Sequence, residues 1–134
     1  MERRFPRTFA SLEAVFEFAD GFLSAHDSSE RVSYAIKLAV EELFTNMVKY
    51  NTGSDAGILI RMEVADERMR LRLIDDDVAP FDPASARDAG IDLPLAERTP
   101  GGLGLHLVRS TVDRIEYQYR DGRMTVTVEK EMGE

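Results

Sequence analysis

The sequence of 134 residues contains no cysteine and only two histidines. Disulfide bridges, thiolate metal sites and a cysteine nucleophile are therefore excluded, and a histidine-rich metal site is not expected. No segment approaches the roughly 18 apolar residues that a membrane-spanning helix needs, and the N-terminal segment lacks the apolar stretch of a secretion signal. These absences predict a cytoplasmic protein with no membrane segment.

The charge balance is acidic, with a formal net charge of −8. Because an acidic chain is repelled by a phosphate backbone, direct nucleic-acid binding over a broad surface is not expected. Hydrophobic residues make up 43% of the sequence, an ordinary value for a globular protein. The length suits a self-sufficient core, and we expect residues 1–134 to form a single domain.

The central element is a long amphipathic helix predicted over residues 27–51, where Asp27 and Glu30 have the spacing of a capping box. Its apolar residues recur at helical spacing: Val32, Ile36, Ala39, Val40, Leu43, Phe44, Met47 and Val48. Glu42 falls at the margin of that face and Asn46 just inside it. Both need partners, because burying an unpaired polar group costs about 1–3 kcal/mol. A metal ion with its waters is one such partner; a solvated glutamate and a backbone-bonded asparagine are the alternative.

The remaining periodicity describes a sheet and two further helices. Alternating residues 3–10 predict an edge strand, and Ser11 is expected to cap a second amphipathic helix. Twofold alternation predicts strands over residues 58–64, 69–73, 115–119 and 124–128, and a short helix begins at a glycine cluster before the third of these. The sum is an α+β fold: a two-layer α/β sandwich with a mostly antiparallel sheet of about five strands and helices on one face.

A long irregular segment, residues 75–103, is rich in Asp, Pro, Ala and Gly. Loops beyond about 12–15 residues in a compact domain are usually functional covers or disordered, so we interpret this one as a mobile lid. Asp75 and Asp76 stand where a strand opens into it. An aspartate there can accept a hydrogen bond from an exocyclic amine; a solvated acidic turn is the alternative.

The segment PGGLGL at residues 100–105 opens the short helix. Glycines allow close approach of the backbone to phosphate oxygens, and the free amides at a helix N-terminus favour anions. No Gly-Lys-Ser/Thr follows, so the segment is not a P-loop, and it does not follow a strand as a dinucleotide fingerprint would. An ordinary helix entry is the alternative explanation.

The order Glu-x-x-x-Asn, acidic strand end, irregular segment, then GGLGL is more specific than any one of these. In this order the chain resembles the ATPase domain shared by gyrase, the Hsp90 chaperone, histidine kinases and MutL. It is most similar to the small bacterial branch of anti-sigma factors with serine kinase activity. The resemblance covers residues 5–130 and implies the histidine kinase-like ATPase fold with ATP and Mg²⁺ as its cofactors.

The resemblance also implies roles for individual residues. Glu42 matches the general base that activates a serine hydroxyl of a partner, and Asn46 matches the magnesium ligand. The other matched positions would contact the nucleotide: Lys49 and Tyr50 in an Asn-x-x-Lys-Tyr pattern, Asp76 at the adenine amine, Gly102, Gly104 and Leu105 at the phosphates, and Thr125 beside the aspartate. The family has Asp-x-Gly at the adenine site, whereas this sequence has Val78 at the glycine position. Asp75 is the alternative adenine reader if the register shifts by one residue.

The implied function is an ATP-dependent protein serine/threonine kinase that acts as an anti-sigma-type regulator in partner switching. Its implied partners are a sigma factor or similar regulator and an antagonist protein that carries the phosphorylated serine; a homodimer is also considered. Val78 favours a different function, a non-catalytic ATP-binding or partner-sequestering module, because a β-branched residue does not adopt glycine's positive φ cheaply. A histidine kinase fragment is not expected, since no helix pair with a phosphoacceptor histidine precedes the domain.

Overall fold

The computed structural model describes residues 1–50, 56–76 and 102–132. In these residues strand β1 (Glu2–Phe5) is followed by a 3-10 turn (Phe9–Ser11) and helices α1 (Leu12–Ala25) and α2 (Glu30–Tyr50). Strands β2 (Ile58–Ala65) and β3 (Arg68–Asp75), helix α3 (Gly102–Thr111) and strands β4 (Arg114–Arg120) and β5 (Arg123–Glu131) complete the order. The predicted irregular segment lies almost wholly outside the described residues.

The five strands form one antiparallel sheet in the order β1-β2-β3-β5-β4. Alternate side chains face the helices and form the core with α1, α2 and α3: Ile58, Ile60, Met62, Met69, Leu71, Leu73, Met124, Val126 and Val128. We call this the inner face, and the opposite face, which carries Arg61, Arg70 and Thr125, the outer face. The predicted sandwich with helices on one face is confirmed. Each fully buried aliphatic side chain contributes roughly 1.5–3 kcal/mol, so the twofold and helical periods determine the layers.

The two β-hairpins turn through residues with positive φ. Asp66 and Glu67 have φ of 54° and 62° between β2 and β3, and Asp121 and Gly122 have φ of 51° and 82° between β4 and β5. Two central residues in this conformation match the right-handed twist of the flanking strands. The first turn therefore fixes the register that brings Asp75 opposite Ile58, and the pairing of β3 with β5 places Met124 on its other side.

The capping box predicted at Asp27 is wrong. Asp27 has φ 50° and follows the end of α1, where its N–H bonds the Ser24 carbonyl and the Ser28 N–H bonds that of Leu23. These two bonds are a Schellman ending, so Asp27 closes α1. The cap of α2 is Ser29, whose hydroxyl accepts a hydrogen bond from the Val32 N–H at 3.2 Å, and the helix spans Glu30–Tyr50 instead of residues 27–51.

The N-terminal segment also differs from its prediction. The edge strand is confirmed at one border of the sheet but ends at Phe5, because Pro6 lacks the N–H that would continue the ladder. Ser11 precedes α1 without capping it: its hydroxyl donates to the Pro6 carbonyl at 2.8 Å. In the part of the chain that the structure describes, no helix is both long and apolar enough to cross a bilayer.

Candidate functional site

Helix α2 carries the two polar side chains on which the functional prediction depends. It packs against α1 and α3 and contacts β3 and β5, so its apolar face is covered on all these sides. Glu42 is half-buried and Asn46 is buried, with 8% of its surface exposed. Both positions agree with the helical periodicity, and a spacing of four residues places the two side chains on the same face of the helix.

The environment of Glu42 favours its protonated form more than water does. Burial raises the pKa of Glu42 above the ordinary value of 4.5; the neighbouring charge of Glu41 adds to the increase and Lys49 opposes it. A carboxylate with a raised pKa is a stronger base than a solvated one. Glu42 therefore has the chemistry of a proton acceptor.

Neither polar atom of the Asn46 carboxamide has a hydrogen-bond partner in the described structure. A buried amide without partners costs roughly 1–3 kcal/mol, and such groups are rare enough to require an explanation. An amide oxygen is a suitable ligand for Mg²⁺, which usually keeps several waters and binds through few protein groups together with phosphates. The unpartnered side chain of Asn46 fits that ion.

The other predicted α2 residues lie in its last turn. Lys49 is half-buried, and its charge acts on Glu42. Tyr50 is the last residue of the helix, but its side chain lies outside the described part of the structure. Lys49 therefore shares a charged environment with Glu42, and the role of Tyr50 stays a prediction.

The glycine-rich segment opens α3 as its sequence predicts, with Gly102 as the first helical residue and Gly104 and Leu105 in the first turn. The side chain of Leu105 is not among those described. Helix α3 packs on α2, the helix that carries Glu42 and Asn46, and Val108 of α3 is fully buried in the common core. The free amides at the start of α3 favour an anion, and the phosphate contact itself stays a prediction.

Asp75 ends strand β3 on the inner face and is completely buried. Its carboxylate forms a two-pronged ion pair with Arg7, in which one guanidinium nitrogen bonds Oδ1 and the other bonds Oδ2 at 3.2 Å. The same guanidinium donates to the carbonyls of Met47 at 3.1 Å and Ala56 at 3.2 Å. Asp75 is thus linked through one side chain to the turn of α2 that follows Asn46.

Asp76, the residue that the motif spacing selects as adenine reader, lies elsewhere. Its carboxylate contacts Arg123 at 2.7 Å and Arg4 at 4.0 Å, and both arginines are about half exposed. Arg123 and Arg4 belong to the outer face of the sheet. The structure therefore separates Asp76 from Glu42 and Asn46, and the alternative reader Asp75 is the one that faces the helices.

Thr125 is also separated from α2. It pairs with Ile74 in the register of β3 and β5, while its neighbours Met124 and Val126 enter the core. Alternation along the strand then places Thr125 on the outer face. This placement does not favour the contact of Thr125 with a nucleotide, which stays a prediction. Val78 lies outside the described residues.

Nearly the whole chain matches one protein family: the family model of the histidine kinase-like ATPase domain covers residues 5–130. This chain belongs to the histidine kinase-like ATPase domain family. The family assignment accounts for the fold and for the order of the acidic helix, the strand end and the glycine-rich helix entry.

Several relatives of this histidine kinase-like ATPase domain are named protein kinases. The serine/threonine-protein kinase BtrW of Bordetella bronchiseptica is 29% identical over 70% of this chain and 67% of its own length. The serine-protein kinases RsbW of Bacillus pumilus and Bacillus cereus are each 30% identical over 71% of this chain, and the matches span 62% and 61% of their lengths. The chain thus spans about two thirds or less of these relatives.

Solved structures share the fold at low identity. The RsbU and RsbW domains of a Mycobacterium tuberculosis protein superpose with a TM-score of 0.72 at 16% identity, covering 98% of this chain and 32% of that one. The SiaB–SiaC complex of Pseudomonas aeruginosa gives 0.65 at 8% identity, covering 96% of this chain and 88% of that one. The histidine kinase AdeS of Acinetobacter baumannii gives 0.56 at 15% identity, covering all of this chain and 68% of its own.

No motif in the sequence identifies Arg7. Its partner Asp75 is 68 residues away in the chain, so no local motif joins them. One signal was available: Arg7 alternates with Phe5 in a stretch predicted as a strand, which places a charge on the side of a buried phenylalanine. A charge in that position requires a buried partner of opposite sign.

Proposed function

We propose that this histidine kinase-like ATPase domain is an ATP-dependent protein serine/threonine kinase that acts as an anti-sigma-type regulator in bacterial partner switching. The observation that carries the proposal is the unpartnered, buried carboxamide of Asn46 one turn after Glu42, a carboxyl group whose pKa is raised. The names of the BtrW and RsbW relatives support the reaction class. We further propose that residues 1–134 act as one domain in the cytoplasm.

In this proposal Glu42 is the proton acceptor. The serine oxygen of the protein substrate forms a bond to the γ-phosphorus of ATP while the bond from that phosphorus to the bridging oxygen breaks. ADP leaves, and the hydroxyl proton passes to the Glu42 carboxylate. The raised pKa suits this role because a basic carboxylate accepts a proton more readily.

The remaining residues bind and orient the nucleotide. Asn46 would hold Mg²⁺ through Oδ1, and the ion would neutralise charge on the phosphates. Lys49 and the amides at Gly102 and Gly104 would face the same phosphates. Asp75, in preference to Asp76, would accept a hydrogen bond from the adenine amine, because it lies on the face of the sheet that carries the helices.

A protein kinase requires a protein substrate, and we propose two partners: an antagonist protein that presents the serine, and a sigma factor or similar regulator that the kinase sequesters. A second copy of the chain is a further partner in this scheme. The substrate is identified by passing native cytosol over immobilised protein with and without Mg-ATP. A bound protein that gains phosphate on serine identifies the antagonist.

Two variants at neighbouring positions, Glu42→Gln and Glu41→Gln, test the proposal. Glu42→Gln removes the proton acceptor, and transfer of labelled phosphate to the captured substrate should stop while ATP binding remains. Glu41→Gln removes a neighbouring carboxylate that is not the proposed proton acceptor, and it should stay active. Equal transfer by Glu42→Gln and the unchanged protein would exclude Glu42 as the base.

A second function, a non-catalytic module that sequesters a partner, is favoured by Val78 at the position where the family has glycine. A module of this kind would retain a protein from cytosol equally with and without Mg-ATP, and no captured protein would gain phosphate. The same capture experiment therefore separates the two functions.

A further inference from the structure

Arg7 is a buried cation with four hydrogen bonds, although it belongs to none of the motifs of the site. Its side chain is only 9% exposed and that of Asp75 is not exposed at all. Two of the bonds go to the Asp75 carboxylate and two to the carbonyls of Met47 and Ala56. Arg7 therefore joins the end of β3, the last turns of α2 and the entry to β2.

The geometry of this pair fixes the orientation of the carboxylate. A guanidinium has a planar fork of donors that matches the two oxygens of a carboxylate, and a lysine ammonium has no such fork. A carboxylate oxygen can accept more than one hydrogen bond, so a contact with Arg7 does not prevent Asp75 from accepting one from an adenine amine.

The charge of Arg7 acts in the same direction. An unpaired charge is costly to bury, and a cation in direct contact with the buried Asp75 carboxylate offsets that cost. The carbonyl contacts of Arg7 also fix Asp75 relative to the helix of Asn46, so the base-reading and phosphate-binding ends of the site keep a constant separation.

We propose that Arg7 is a positioning residue for adenine selectivity: it holds the Asp75 carboxylate in the orientation that accepts a hydrogen bond from the exocyclic amine of the nucleotide. The inference rests on the proposed function, because it requires that the site binds ATP. Beyond ATP binding, it requires that the preference for a purine with an amine depends on the guanidinium of Arg7, which does not itself contact the nucleotide.

The test compares two nucleotides in the complete chain. Mg-ATP and Mg-purine riboside triphosphate, which has hydrogen in place of the amine, are titrated into the unchanged protein and Arg7→Lys by calorimetry. The unchanged protein should prefer ATP, and Arg7→Lys should reduce this preference by roughly tenfold or more, the effect of losing one good hydrogen bond to a charged group. Binding of the analogue should change little.

Arg4→Lys is the matched control. Arg4 lies three residues before Arg7 in the chain and contacts Asp76 on the outer face. It should keep the full preference for ATP. An equal loss for both nucleotides in Arg7→Lys would show a merely structural role, and an unchanged preference would show no role; either result overturns the inference while the proposed function stands. Failure of the unchanged protein to bind ATP would overturn both.

A measurement on the unchanged protein avoids dependence on the folding of a variant. The side-chain N–H signals of Arg7 are followed by NMR as each nucleotide is added. ATP should shift them, because a new hydrogen bond to Asp75 withdraws charge from the bonds that Arg7 donates, and the analogue should shift them much less. Identical shifts with both nucleotides would contradict the proposal.

Discussion

Asp75 and Asp76 are neighbours in the chain, but their carboxylates lie on opposite faces of the sheet, one paired with Arg7 and the other with Arg123. Since only the inner face carries α2, the two residues cannot serve the same site. The choice between them is a direct test of how the site is built.

Asp75→Asn should weaken Mg-ATP binding by roughly tenfold or more, because an amide is a weaker acceptor than a charged carboxylate. Asp76→Asn should leave the affinity unchanged, since its contacts are with Arg4 and Arg123. Calorimetric titration measures both, and thermal unfolding of each variant shows whether the fold is retained. A loss confined to Asp76→Asn would restore Asp76 as the adenine reader.

The pH dependence of phosphate transfer should follow Glu42. The base must be ionised to accept a proton, so the rate should rise with pH through the pKa of Glu42, which burial holds above 4.5. In Glu41→Gln one cause of the raised pKa is removed, so the rise should move to lower pH. A rate profile that is the same in Glu41→Gln would show that a different group controls transfer.

The raised pKa of Glu42 also makes stability depend on pH. The rate of transfer should rise with pH, whereas this contribution to stability should fall. A carboxyl group with a raised pKa binds a proton more tightly when folded, so its contribution to stability falls as pH rises from the ordinary value of 4.5 through the raised pKa. Glu42→Gln should remove this part of the pH dependence. Denaturant unfolding of Glu42→Gln at a series of pH values checks the sign.

Glu129 on the outer face has the reverse behaviour. Hydrogen bonds from Arg70 at 2.7 and 2.9 Å lower its pKa, and the charges of Arg70, Arg114 and Arg68 lower it further against the effect of burial. Its contribution to stability is present above the unfolded pKa and is lost as pH falls through the lower folded pKa. Glu129→Gln should therefore be less stable than the unchanged protein at pH 7, and the two unfolding curves should converge in acid. A constant difference at every pH would contradict this assignment.

The end of α1 gives a prediction on stability alone. Asp27 has φ 50°, a conformation that costs less for glycine than for other residues. Asp27→Gly should raise the free energy of unfolding by about 0.5 kcal/mol, whereas Ser29→Ala should lower it by about 1 kcal/mol through loss of the α2 cap. Chemical denaturation measures both. Destabilisation by Asp27→Gly would support Asp27 as the cap of α2.

The sequence was sufficient for the layers of this fold because apolar periodicity is a local property. Helical spacing placed Glu42 and Asn46 correctly, and twofold alternation predicted the four later strands. The local pattern failed at Asp27. Its spacing to Glu30 matches a capping box at the start of α2, but in the structure Asp27 belongs to the ending of α1. Residues 77–101 lie outside the described structure, so the predicted lid stays a prediction.

The details of the site depend on information that a motif does not contain. Motif spacing selects Asp76, whereas its neighbour Asp75 lies on the face that carries the helices, because a shift of one residue reverses the face of a strand. The pairing of β3 with β2 and β5 decides which residues face the helices, and β3 and β5 are far apart in the chain. Arg7 and Asp75 are 68 residues apart and meet only in the folded chain, so no local motif joins them.

Asn46 has a buried carboxamide with no hydrogen-bond partner in the described structure. Asn46→Ala should raise the free energy of unfolding of the ligand-free protein by about 1 kcal/mol, since an unsatisfied polar group is removed from the interior. It should also abolish the part of the ATP affinity that depends on Mg²⁺. Thr45→Ser, a neighbouring change on the same helix, should leave that part of the affinity in place.

The deciding measurement is calorimetric titration of ATP, with and without Mg²⁺, into the unchanged protein and Asn46→Ala. We expect Mg²⁺-dependent binding that the variant loses while its fold becomes more stable. Unchanged Mg²⁺-dependent binding in Asn46→Ala, or no binding by the unchanged protein at millimolar nucleotide, would contradict a magnesium-nucleotide site at Asn46.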